Sequence, residues 1–372
     1  MAQKSGIVTG LFLGVALVAV GCSPKVPSPG TFISTGSMSQ ARQDHVATLL
    51  KDGKVLILGG VDRDDPSMAS AELFDPTTGT FSATGSMNWA RNEFTATLLA
   101  DGDVLVTGGF PDDQAARDNP GEASPIRPAE LYHPQSGTFT VTGSMSVGRD
   151  FPAVALLPDG EVLVAGGFSG GSLIASAELY DPATGTFHPT GSMTAAGASV
   201  AIPLADGLVL VAGGGLEATS ADLYDPKTGT FRATGSMTTE HDTATLLIDG
   251  DVLFTGGADD NGNPRVTAEL YDSATGAFRP TGSMRVPRHG QTATLLADGQ
   301  VLVAGGSSDA SCELYDPTTG AFAATGPLGS WRSEATATLL KDGRVLIAGG
   351  LTDDSDHNAT TLSAAELYIP PR

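Results

Sequence analysis

Residues 95–109 read TATLLADGDVLVTGG, and nearly the same fifteen residues recur at 292–306 (TATLLADGQVLVAGG), 336–350 (TATLLKDGRVLIAGG) and 46–60 (VATLLKDGKVLILGG). In each copy an Asp-Gly pair stands between two apolar runs, as a two-residue hairpin turn requires. Glycine pairs close such a run seven times, at Gly59, Gly108, Gly166, Gly213, Gly256, Gly305 and Gly349, with steps of 49, 58, 47, 43, 49 and 44 residues. After each pair comes a variable loop and then an E/D-L-Y/F element, ending at Phe74, Tyr132, Tyr180, Tyr224, Tyr271, Tyr315 and Tyr368. A DPxTG-type turn follows in most copies, and a phenylalanine (Phe32, Phe81, Phe139, Phe187, Phe231, Phe278, Phe322) then leads into TGSM, which is TGPL after Phe322.

Each unit therefore holds four strand-forming runs, named here a (TATLL), b (VLVAGG), c (AELY) and d (TFxxTGSM). Four strands at a period of about 48 residues make a propeller blade. Runs a and b are almost continuously apolar, so both of their faces are expected to be covered by neighbouring blades. The expectation is an all-β, seven-bladed propeller with four antiparallel strands per blade over residues 31–372. The chain starts on a d run and ends on a c run. The N-terminal d run is thus expected to complete the last blade and hide its edge.

The glycine pair after an apolar strand, the tyrosine of run c and the aromatic of run d resemble the kelch repeat over about residues 31–369. Many kelch repeats carry Trp in the fourth strand. Here it is always Phe, which is similar to a bacterial branch and to the propellers of galactose-oxidase-like proteins. A galactose oxidase needs two tyrosines, two histidines and a cysteine crosslinked to a tyrosine around copper. All six tyrosines of this chain occupy the c slot and Cys312 takes the place of the Ala in AEL, so copper oxidation is set aside. No nucleophile elbow, phosphate loop or spaced His/Cys metal set is present in the sequence, and no cofactor is expected.

With 48 glycines among 372 residues and no period of three, composition points to many tight turns. A net charge of −22 disfavours nucleic acid and anionic lipid headgroups as partners. The first 21 residues carry Lys4 and an apolar run from Gly6 to Val20, the pattern of an export signal. Ala19-Val20-Gly21-Cys22 resembles a bacterial lipobox, with Ala19 where Leu is usual. The resemblance implies acylation of Cys22, and Ser23 in the next position implies outer-membrane sorting. An ordinary secretory peptide and an uncleaved anchor are the other readings. Residues 22–30 form a Pro-rich tether, so membrane contact is expected through the lipid alone. With Cys22 acylated, Cys312 has no disulfide partner.

In an up-and-down blade the d-to-a and b-to-c loops share one face, and the Asp-Gly and DPxTG turns share the other. The turns repeat between copies and read as structural. On the variable face, ten residues before each hairpin Asp, stand Arg42, Arg91, Arg149, Ala196, Thr239, Arg288 and Arg332, with Asp44, His45, Glu93, Asp150, Glu240, His241, His289 and Glu334 beside them. Two readings are open. The arginines neutralise acids and bridge blades, or they ring a solvated funnel and bind a carboxylate-bearing ligand or peptide together with Glu93, Glu334 and His241. Acidic b-to-c loops such as Asp62-Arg63-Asp64-Asp65, Asp259-Asp260-Asn261 and Asp353-Asp354-Ser355-Asp356 make calcium conceivable, but none has a full ligand-loop spacing. The expected function is a monomeric, non-enzymatic binder of protein or glycan. The alternative is an enzyme resembling the periplasmic kelch proteins that epimerise sialic acids, with Glu93 or Glu334 beside Arg91 or Arg332.

Overall fold

The structure, a computed structural model, describes residues 29–62, 67–111, 124–213, 219–353 and 359–371. Cys22, the export segment, most of the tether and the acidic stretches 63–65 and 354–356 lie outside the described residues. Seven four-stranded antiparallel sheets account for the repeats. Blade 1, for example, pairs Val46–Leu49, Val55–Leu58, Ala71–Asp75 and Thr80–Ala83 in chain order. The a strands of successive blades touch one another all the way round, and blade 7 meets blade 1. They form the innermost ring.

Register repeats with the sequence. The first two strands pair Val46 with Leu58 and Leu49 with Val55 in blade 1, as Thr292 pairs with Ala304 and Leu295 with Val301 in blade 6. Every four-residue b strand is buried throughout, as in Val55–Leu58 and Val301–Ala304. The a strands are only half-buried, because one of their faces lines the axis. The expectation of two covered faces therefore holds for b and fails for a. Apolar residues gather in seven clusters, each joining two adjacent blades; Leu56 and Leu58 of blade 1, for example, pack with Val104, Val106 and Tyr132 of blade 2. The core is thus a ring of inter-blade seams.

The repeated tyrosine serves those seams. Its hydroxyl meets the threonine of the preceding blade's TGSM segment (TGPL in blade 6), as in Thr84–Tyr132 (2.9 Å), Thr142–Tyr180 (2.8 Å) and Thr325–Tyr368 (2.8 Å). Within a blade each tyrosine ring packs against the d-strand phenylalanine, with Tyr132 and Phe139 centroids 4.9 Å apart. The next residue, glycine, approaches a neighbouring turn too closely for a side chain. A Cβ on Gly85 would lie 2.4 Å from Gly137 O, and the Gly85 amide donates to that oxygen at 2.8 Å.

Closure follows the expected pattern. Thr31–Ser37 is the outer strand of the sheet that also holds Ala364–Ile369, Val345–Ala348 and Thr336–Leu339, with Phe32 opposite Tyr368. Gly36 N donates to Gly79 O of blade 1, and Gly326 N of blade 6 donates to Gly30 O. Deleting residues 31–38 removes the outer strand and the Gly36 link with it, and opens the sheet edge. That truncation should aggregate or melt lower by about 5 °C or more, since in a domain of this size each kcal/mol moves Tm by roughly 2 °C. A differential scanning trace matching the parent would show that the clasp is dispensable.

Candidate functional site

The five arginines do not surround a solvated funnel. Arg42, Arg91, Arg149 and Arg288 are 0 % exposed and Arg332 is 1 % exposed. Each guanidinium turns into its own blade and donates from Nη1 to the carbonyl of the first glycine of the b-strand pair, at 2.8 Å for Arg42–Gly59, Arg91–Gly108 and Arg288–Gly305. Nη2 pairs with the c-strand glutamate: Arg91–Glu130, Arg149–Glu178 and Arg288–Glu313 at 3.1 Å, Arg332–Glu366 at 2.6 Å and Arg42–Glu72 at 3.5 Å. Burial lowers the pKa of Arg91, Arg149 and Arg332, and the partner carboxylate raises it again. Arginine remains charged under such conditions.

The expectation of inter-blade struts is met by the main chain instead. Gly60 N donates to Arg91 O, Gly109 N to Arg149 O and Gly350 N to Arg42 O, at 2.8–2.9 Å. Here the second glycine of one blade touches the arginine carbonyl of the next. The pair must be glycine because a Cβ on Gly59 (φ +66) would lie 2.7 Å from Arg91 O, and one on Gly60 (φ +89) 2.5 Å from Gln43 O.

The c-strand acid has a second task in every blade. Glu72 accepts the Ser39 amide, Glu130 that of Asn88, Glu178 that of Ser146 and Glu366 that of Gly329, fixing the loop that follows TGSM. The two blades without arginine explain themselves. In blade 5 His241 replaces the guanidinium, its Nδ1 3.1 Å from Gly256 O and its Nε2 3.0 Å from Glu269. In blade 4 Ala196 leaves no cation, and the shorter Asp222 takes both the amide and the hydroxyl of Thr194, at 2.8 and 2.6 Å. His241 is therefore a framework residue like the arginines.

What reaches the channel mouth is acidic. Asp44, Glu93, Phe151 and Glu334, each two residues beyond a blade's arginine, have left-handed backbones with φ of 52, 55, 48 and 54°. Gln43 Nε2 donates to Glu334 at 3.0 Å and to Asp44 at 3.3 Å, and His289 faces Asp242 at 3.1 Å. Asp150, 9 % exposed, shares a side-chain hydrogen bond with Glu93, and burial pushes its carboxyl up to about 6. Burial and the neighbouring Asp44 charge raise Glu334, offset in part by His289. Asp44 is also raised by burial. Burial and the Arg42 charge press His45 down to about 3, so it stays neutral beside Thr336. Exposed Phe151, Phe168 and Leu173, none of them singled out in the sequence, lie on the same face in blade 3.

The opposite face repeats itself. Clefts of about 330, 280 and 520 Å³ lie between successive blades, lined by Asp-Gly and DP turns such as Asp52, Lys54, Asp75 and Asp342. Their recurrence ties them to blade geometry. Asp259 bonds Asn261 and Asn263 within its own loop, closing that acidic stretch on itself.

Residues 45–88 and 152–194, blades 1 and 3, match the Kelch motif family. No curated protein matches the chain. Among solved structures, a fungal alcohol oxidase of the AA5 family in complex with copper is similar over 93 % of this chain and 76 % of its own, with TM-score 0.69 and 20 % identity. At that identity the likeness shows the propeller fold alone. A copper–tyrosine centre does not fit the residues present. The six tyrosines are fully buried with their hydroxyls on inter-blade threonines, and Cys312 is buried in the seam between blades 6 and 7. Among the described residues no group of three or more His, Cys, Asp and Glu is arranged to hold a metal.

Breaking one partner of a buried ion pair leaves an uncompensated charge, at a cost of about 3–5 kcal/mol. Arg91→Ala and Glu130→Ala should each destabilise the fold by that order in urea titrations. The double variant should cost less than the sum of the two. Additive losses would mean that the pair is not coupled.

Proposed function

We propose that this propeller is a non-enzymatic binding module that engages a protein or glycan through the face built by the d-to-a and b-to-c loops. The carrying observation is a contrast between the two faces. The blade interiors and the turn face repeat from blade to blade, whereas the position two residues beyond the arginine slot changes from acid (Asp44, Glu93, Glu334) to aromatic (Phe151) to glycine (Gly290). Chemical variety on one face of a regular scaffold is how repeat folds present binding surfaces.

The catalytic alternative, a sialic-acid mutarotase or epimerase-like propeller, draws support from the raised Asp150 carboxyl. The five repeated arginines are not placed to hold an acidic sugar, because each of their guanidinium groups lies inside its blade, and among the described residues Asp44, Glu93 and Glu334 follow them in the same segments. The binding reading therefore has the better support. Peptide and glycan arrays probed with the mature protein should reveal ligands that a Glu93→Gln/Phe151→Asn variant loses and a turn-face Ile248→Ser variant keeps. A ligand held equally by both variants would move the site off this face.

The lipobox-like segment supports anchoring of the module to the bacterial outer membrane through Cys22. We take the module to act as a monomer, and its net charge of −22 argues against nucleic-acid partners. Cys22→Ser should then shift the protein from the membrane to the soluble fraction. Unchanged detergent partitioning would remove the anchor from the proposal.

A further inference from the structure

Blade 3 differs from its siblings on the variable face. Six large hydrophobic side chains are markedly exposed among the described residues, and three of them, Phe151 (54 %), Phe168 (41 %) and Leu173 (40 %), belong to this one rim. The b-to-c connection folds into a small hairpin, Phe168–Ser169 against Ser172–Leu173, which sets Phe168 opposite Leu173. A backbone bridge joins that hairpin to the d-to-a loop: Asp150 N donates to Phe168 O at 3.0 Å and Phe168 N donates to Asp150 O at 2.8 Å. Phe151 is the next residue. The three apolar groups are thus carried by two segments locked side by side.

The same bridge places carboxylates at their edge. Asp150 is nine-tenths buried, shares a hydrogen bond with Glu93 and keeps one carboxylate oxygen, Oδ1, without any hydrogen-bond partner. A buried, half-satisfied carboxylate is costly and gains most from a cationic donor. Further round the mouth stand Glu334, Asp44 and Asp242, so the local charge has the same sign as the chain's −22.

We infer that the rim of blade 3 docks a basic, apolar-flanked segment of a protein partner, with a lysine or arginine head against Asp150 and Glu93 and its neighbours on Phe151, Phe168 and Leu173. Such side chains suit the surface twice, since the charged head pairs with carboxylates while the aliphatic stem lies on apolar ground. The face of an exposed phenylalanine adds a cation–π contact. A neutral glycan could stack on the aromatics but would bring no cation to the unpartnered Oδ1 of Asp150. An anionic ligand would be repelled. This inference rests on the binding reading above and names the partner class for that same face.

Calorimetric titration of the full mature chain tests it with three probes: acetyl-Leu-Arg-Trp-Arg-amide, its Glu-for-Arg counterpart, and lactose. The arginine peptide should bind saturably, its glutamate counterpart should not, and binding should weaken about tenfold on raising salt from low to high ionic strength. Phe151→Asn, which suits the left-handed backbone, and Glu93→Gln/Asp150→Asn should each weaken binding by about tenfold or more. Ile248→Ser should leave it unchanged. Should the double variant fold poorly, Phe151→Asn and the salt series decide alone. Absence of saturable arginine-peptide binding, equal binding of both peptides, or insensitivity to Phe151→Asn overturns the inference. Lactose binding that is lost in Phe151→Asn overturns it as well while leaving the face a binding site. A probe bound alike by the parent, Phe151→Asn and Glu93→Gln/Asp150→Asn defeats both readings.

Discussion

A buried cation held between a glycine carbonyl and a carboxylate organises this propeller. The b strand must end where its blade meets the next one near the axis, and its last carbonyl would otherwise be left without a partner in a dry seam. Arg91 satisfies Gly108 O with one nitrogen and Glu130 with another, and Glu130 in turn holds the amide of Asn88 at the start of the same loop. Strand end, middle strand and incoming loop are thereby fixed by a single side chain. The arginine's own carbonyl then receives the Gly60 amide of the preceding blade. A buried ion pair is poor evidence of net stability. Its role here is to specify geometry, and blade 4 shows that the geometry survives without the cation when the acid is shortened to Asp222.

This arrangement has an electrostatic consequence for function. Five of the chain's 20 basic residues are enclosed in the blades, where each is paired with a c-strand glutamate, and His241 makes the corresponding contact with Glu269. The segments that carry them also carry Asp44, Glu93, Asp150, Asp242 and Glu334, which lie outside these pairs. Framework and mouth are therefore of opposite character although they come from the same few residues of sequence. A loop rich in both Arg and Asp reads as mixed in charge, and its exposed surface is acidic.

Much of the fold was legible because a period near 48 residues with fixed glycines and aromatics admits few architectures, and because a chain that opens on a d run and ends on a c run can close in only one economical way. The direction of the arginine side chains was not legible from position alone. The sequence did carry the clue, since the blade that loses arginine at Ala196 is also the one in which the c-strand Glu becomes Asp222, and the blade with Thr239 supplies His241 two residues later. Those paired changes mark contact partners. Exposure of the aromatics was harder to read. Phe94 and Phe151 stand three and two residues beyond the arginines of adjacent blades, the first inside the strand Asn92–Leu98 and the second ahead of Ala153–Leu156, and the first is 5 % exposed while the second is 54 % exposed.

The backbone at the mouth separates what the scaffold requires from what it only carries. Two residues beyond the arginine the chain must turn sharply so that the guanidinium enters the blade while the next strand starts along the axis, and a left-handed residue makes that turn. Blade 6 places Gly290 there with φ +69, so the turn alone is best served by glycine. Asp44, Glu93, Phe151 and Glu334 hold the same position at a cost on the order of 1 kcal/mol each. Asp44 and Glu334 recover part of it through the Gln43 side chain although their charges repel, whereas Phe151 is largely exposed. A side chain kept at such a position against backbone preference is best explained by what it presents outward. For Phe151, bulky and apolar at a turn that favours Gly, Asn or Asp, that argument is the strongest of the four.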